Sequence, residues 1–159
     1  MSTIATTAED RLGQLGIHLP GAPTPFGAYV PAVQTGTLLF LSGMLAISGP
    51  AATVVGIVGK DLEVKAGREA AYTAALNGLA LTRKQLGSLD RVSRVVRLGA
   101  YIAATPEFTE HPKVADAASE LLRDVFGEMT VSSRLVFGVA SLPLGSPVEL
   151  EVILEVKGA

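Results

Sequence analysis

The sequence predicts an α+β fold: a mixed β-sheet with two main helices packed on one face and a short helix ahead of them. Three observations predict it. Val148, Leu150, Val152 and Leu154 alternate with Glu149, Glu151 and Ile153, the period of a strand with one buried face. Val64 to Leu86 contains no proline, is rich in alanine and meets Gly87, the pattern of one long helix with a glycine stop. Strand and helix patterns also interleave along the chain, which favours helices layered on a sheet over separate all-α and all-β units. With 159 residues and 48% of them hydrophobic, the chain suits one domain over 1–159, residues 1–27 forming a helix and an extended arm.

Each element has a local reason. Thr6 or Thr7 can cap a first helix through Leu15, with Glu9 and Asp10 in its first turn, Leu12 and Leu15 as its apolar edge and Gly16 as its stop. His18 to Val30 is punctuated by proline and glycine and reads as an arm. Two apolar strands follow, Ala28 to Gln34 and Thr37 to Ser42, joined by a tight turn at Thr35-Gly36 and expected at the sheet centre. A short strand is expected over Thr53 to Val58.

The long helix should carry two stripes, Ala70, Ala74, Asn77, Leu81 and Lys84 beside a small-residue face of Ala71, Ala75, Leu79 and Leu86. Arg91 to Ala103 is rich in β-branched residues and reads as a strand, although its alternation is imperfect. Pro112 suits the first turn of a helix running to Phe126, with Gly127 beyond it. The last expectation is a hairpin. Arg134 to Ala140 and Val148 to Leu154 flank LPLGSP, a segment suited to reversing the chain.

Composition excludes several chemistries. A formal charge of −2 and the absence of any Lys/Arg run argue against nucleic acid as a partner. Without cysteine there is no disulfide, thiolate nucleophile or thiolate metal site. His18 and His111 stand far apart in no ligand pattern, so no metal is expected. No glycine lies in a phosphate-loop motif, and Ser132-Ser133 has no histidine in a triad pattern. No signal-peptide pattern and no apolar run near the ~20 residues of a membrane span is present, so the expected location is cytoplasmic, without membrane.

Three stretches carry a family resemblance: R-L-x-x-L-G-I-x-L-P from Arg11 to Pro20, AYVPAVQTGTLLFLSG from Ala28 to Gly43, and R-x-x-x-G-V-x-x-L-P-x-x-x-x-V-E-x-E from Arg134 to Glu151. They cover nearly the whole chain and resemble the Rid family of reactive intermediate deaminases, also called YjgF or L-PSP, in its longer branch. The resemblance implies a chorismate-mutase-like fold, a homotrimer with clefts between subunits, and hydrolysis of small 2-imino acids to 2-oxo acids and ammonia without cofactor or metal. By the same resemblance Arg134 grips the substrate carboxylate and Glu149 orients or deprotonates the attacking water. Tyr29, Ser42 and Gly43 would help hold the ligand. A planar guanidinium suits the first role, since it bonds both carboxylate oxygens and stays charged.

The chain also departs from the pattern. Thr130 to Arg134 reads T-V-S-S-R where the longer branch commonly has G-R-H-A-R, so the basic side chains at Val131 and Ser132 are missing. Ser141 replaces a second arginine of the founding deaminases, and Ala115, Asp116 and Ser119 occupy the region of their cleft asparagine. These departures leave open a trimer of the same fold that binds a small carboxylate without turning it over. By periodicity alone Glu149 and Glu151 look alike, and a paired surface arginine is the ordinary reading of Arg134.

Overall fold

A computed structural model describes residues 5–128 and 132–158. The elements are α1 (Ala8–Gln14), β1 (Ala32–Thr35), β2 (Leu38–Leu41), β3 (Met44–Leu45), β4 (Ile47–Ser48), β5 (Ala51–Ala52), α2 (Val64–Leu86), β6 (Val92–Ala103), α3 (His111–Phe126), β7 (Ser133–Val139) and β8 (Val148–Val156). The main sheet runs β1-β2-β8-β6-β7, with β3 also pairing β8; β4 and β5 form a separate ladder. All pairs are antiparallel except β6 with β7. The α+β fold is therefore as predicted, a mixed sheet with helices on one face.

α1 is capped by Thr7, which accepts from the Asp10 amide while the Asp10 carboxylate accepts from the Thr7 amide. Leu12 is buried as expected, whereas Leu15 is exposed, because the helix packs along one row of side chains only, against α3 and the turn that follows α2. Glu9 fastens that contact. It accepts from Arg83 and from the Leu89 amide, and the Arg83 guanidinium holds its carboxyl below the usual range.

The N-terminal strands are shorter and lie nearer the margin than their apolar content suggested. β1 is a solvent-exposed edge, and the two-residue turn is Gly36-Thr37, with Gly36 at φ 57°. No strand covers Thr53 to Val58; β5 stops at Ala52, and Val58 makes only isolated bridges to Leu62 and Ala104. Positive φ at Gly56 and Gly59 bends this segment away from a ladder.

The hairpin is the main correction. β7 and β8 do not pair: β6 lies between them, parallel to β7 and antiparallel to β8. The reason is the crossover through α3, which returns the chain beside β6 in the parallel sense, as strand-helix-strand units do. Residues 140–147 then pass over the end of β6 to its other side. There the Ala103 amide donates to Pro147 and the Ala104 amide to Val139, tying both flanking strands to one strand end. β6 has register shifts after Val92 and Val95, which accounts for its broken alternation.

α2 and α3 cover the face formed by Val148, Leu150, Val152, Leu154 and Val156 of β8 with Leu98, Ala100 and Ile102 of β6. Both predicted stripes of α2 are buried except at Lys84, where the helix clears the core. Among the described residues no helix is long and apolar enough to cross a membrane.

Two helical glycines make opposite predictions. A Cβ at Gly78 would lie 3.6 Å from Met44 Cγ, an ordinary contact, so Gly78→Ala is expected to gain about 0.5–1 kcal/mol from helix propensity. A Cβ at Gly67 would lie 3.1 Å from Val114 Cγ2, with Val58 also close, so Gly67→Ala should be destabilising by about 1–3 kcal/mol. Thermal melts of both variants read the contrast; equal shifts would contradict this packing.

Candidate functional site

The arm, the β2–β3 junction and the start of β8 enclose a cleft of about 640 Å³. Its lining includes Tyr29, Ser42, Gly43 and Glu149, so four of the five sequence-predicted site residues meet in one place. Each is placed by its own local chemistry. The Tyr29 hydroxyl accepts from the Phe26 amide at 3.2 Å and closes a turn in the arm, with the ring folded over Gly27 at the cleft's edge. Ser42 donates from Oγ to the Val30 carbonyl at 2.7 Å, and its amide donates to the Pro31 carbonyl. Its hydroxyl thus holds the arm against the sheet before it can serve any ligand.

Glu149 sits in β8 opposite Leu45 of β3 and Tyr101 of β6. Strand alternation sends its neighbours Val148 and Leu150 into the core and turns Glu149 to the other face. Gly43 makes room for it. An added Cβ there would lie 2.2 Å from Glu149 Oε1, so only glycine lets the carboxylate approach the backbone this closely. Burial raises its pKa, and among the described residues no hydrogen bond or ion pair to it opposes the shift. A half-desolvated, unpaired carboxylate is a stronger base than an exposed one, and is suited to taking a proton from water.

Arg134 is not in this cleft. It is paired with Leu98, on the helix-covered face of the sheet, while Glu149 turns to the opposite face two strands away. Its Nη1 donates to Asp116 Oδ1 at 2.7 Å and to Ser119 Oγ at 3.1 Å, both on α3. The sequence marked Asp116 and Ser119 only as residues in the region of the family's cleft asparagine, not as partners of Arg134. The cleft itself has no Lys, Arg or His in its lining. Of the departures noted above, Thr130 and Val131 lie outside the described residues, and Ser133 donates to the Val96 carbonyl at the start of the β6–β7 ladder.

Pattern reading also missed the cleft's apolar wall, because Phe26, Leu45, Ile47 and Leu144 come from four separate segments. It missed as well the helix-free face of the sheet. There Tyr101 stacks on Phe137 at 5.9 Å and donates to Glu151, which also faces Arg97 at 3.5 Å. Glu151 is thereby separated from Glu149: it is tied into a polar row, whereas Glu149 is left free over Gly43.

Comparison with known proteins shows the family and the fold. The family described as YjgF/chorismate mutase-like, putative endoribonuclease matches residues 9–156. Protein TCP17 of Trypanosoma cruzi is 39% identical over 159 residues, 99% of each chain. The 2-iminobutanoate/2-iminopropanoate deaminase of Dermatophagoides farinae is 29% identical, covering 89% of this chain and 95% of its own. Among solved structures, that of a putative endoribonuclease from Shewanella oneidensis superposes with a TM-score of 0.89 at 31% identity, covering 94% of this chain and 99% of that one.

Proposed function

The chain belongs to the YjgF, or Rid, family, and from that premise we propose that it is an imine and enamine deaminase acting on 2-imino acids. The observation that carries the reading is the cleft in which Glu149, desolvated and unpaired, lies against Gly43 beside Tyr29 and Ser42. Glu149 takes a proton from a water as that water attacks the imine carbon, and returns it to the nitrogen, giving a carbinolamine. A second transfer, from the carbinolamine hydroxyl to the nitrogen, breaks the C–N bond, releasing ammonia and the 2-oxo acid. The imine is already electrophilic, so positioning water and substrate supplies much of the rate.

The substrate carboxylate needs a cation that one chain does not place in its cleft. A homotrimer supplies it, with Arg134 of a neighbouring copy reaching the cleft of the first and exchanging its Asp116 partner for substrate. The helix-free face supports assembly: Val33, Phe40, Leu135 and Phe137 are all well exposed there in the single chain, and Arg97 Nε is buried without a hydrogen-bond partner. The protein would act in the cytoplasm, with no nucleic-acid or membrane partner.

A continuous assay of 2-oxo acid release from freshly generated 2-imino acids tests the reading. Acceleration over buffer is expected. Its absence across small, branched and aromatic imines would leave the carboxylate-binding trimer as the function.

A further inference from the structure

We propose that the wall facing Glu149 is a side-chain subsite selecting branched or aromatic 2-imino acids over the alanine-derived one, an inference that rests on the deaminase reading above. Pro25, Phe26, Leu45, Ile47, Pro143 and Leu144 form this wall, Leu45 lying directly opposite Glu149 in the β3–β8 ladder. Glu149 is the one charged residue in the described lining, and the hydroxyls of Tyr29 and Ser42 are already engaged with backbone. A cleft of about 640 Å³ is well above the lower end of ligand sites, roughly 300 Å³. A three-carbon acid at the Glu149 end would leave the apolar wall in contact with water; a larger apolar side chain would displace that water.

Two features show that the wall is built rather than incidental. Leu144 has φ 60° and ψ 10°, and is the sole described non-glycine residue with positive φ. Its turn is held by neighbours. The Gly56 amide donates to the Gly145 carbonyl, and Gly145 lies so close to Val55 that an added Cβ would be 2.7 Å from Val55 Cγ1. The surrounding structure thus holds Leu144 at the cleft in a conformation it would not choose. Phe26 also lines a second hollow of about 670 Å³, together with Thr73, Leu76 and Asn77.

The test uses the full chain and the product acids, so that it does not depend on turnover. Calorimetric titration with pyruvate, 4-methyl-2-oxopentanoate and phenylpyruvate is expected to show at least about 10-fold tighter binding of the two larger acids, the selectivity that added buried carbons provide. Phe26→Ala and Leu144→Ala, each verified as folded by its melting curve, should bring the ratio to within about threefold of unity. A flat or reversed series, no binding of any acid, or an unchanged ratio in both variants would overturn the subsite. The deaminase reading is scored separately on imine hydrolysis: a graded affinity series without hydrolysis removes that reading and keeps the subsite, whereas hydrolysis with a flat series does the reverse.

Discussion

Arg134→Ala is expected to lower kcat/KM for 2-imino acids by about 100-fold or more while the protein stays folded and assembled. Removing one member of a close charge pair typically costs about 2–5 kcal/mol of binding, or 30-fold to several thousand-fold. The fold should tolerate the change: Arg134 pairs with an Asp116 that is 46% exposed, and such surface pairs are worth about 0.2–1 kcal/mol. Arg134→Lys keeps the charge and loses the fork, so it should recover only part of the activity.

The separation of Arg134 from Glu149 within one chain makes a sharper form of this result available. If each cleft draws them from different subunits, trimers reassembled from equal amounts of Arg134→Ala and Glu149→Gln chains regain about a quarter of the wild-type clefts, since one pairing in four unites both intact residues. Activity recovered on mixing two inactive variants is the expected outcome. Mixed trimers as inactive as their parents would show that the two residues do not share a cleft across subunits.

Glu149→Gln is expected to reduce kcat by about 10²–10⁴-fold, the usual contribution of a positioned general base. Its effect on stability should run the other way. Burial raises the Glu149 pKa, so its contribution to stability is fully present below the ordinary glutamate value and is lost as pH rises through the raised folded-state value. At pH 7 the wild type carries that cost and the glutamine variant does not. The variant should therefore melt at the same or a higher temperature at pH 7, with its advantage shrinking on acidification below the folded-state pKa. Wild-type activity should rise with pH through that same raised value, because the base works only when deprotonated. Gly43→Ala separates position from chemistry: it keeps the carboxylate but displaces it, and should lower kcat by about 10–100-fold with little change in melting temperature. A Glu149→Gln enzyme with wild-type kcat would remove the general-base role.

The helices were legible because their signals are local. Gly87 at φ 84° ends α2 where the glycine stop placed it, and Thr7 caps α1 through its own third neighbour. The buried face of β8 was equally legible, since a period of two is a property of the strand itself. The hairpin was not. Whether β7 meets β8 or β6 depends on a backbone ladder that any strand sequence can form, and the crossover through α3 decided for β6.

The same division holds for the site. Sequence alone determined the family, the fold class and the residue types, and motif position separated Glu149 from Glu151 where periodicity did not. Tertiary structure decided which of them meet. It laid Glu149 against a glycine without a Cβ, tied Glu151 to Tyr101, and turned Arg134 to the far face beside Asp116. The physical reason is that side-chain identity and spacing act along one chain, whereas desolvation, facing and partnership arise between segments distant in sequence, whose packing sets them.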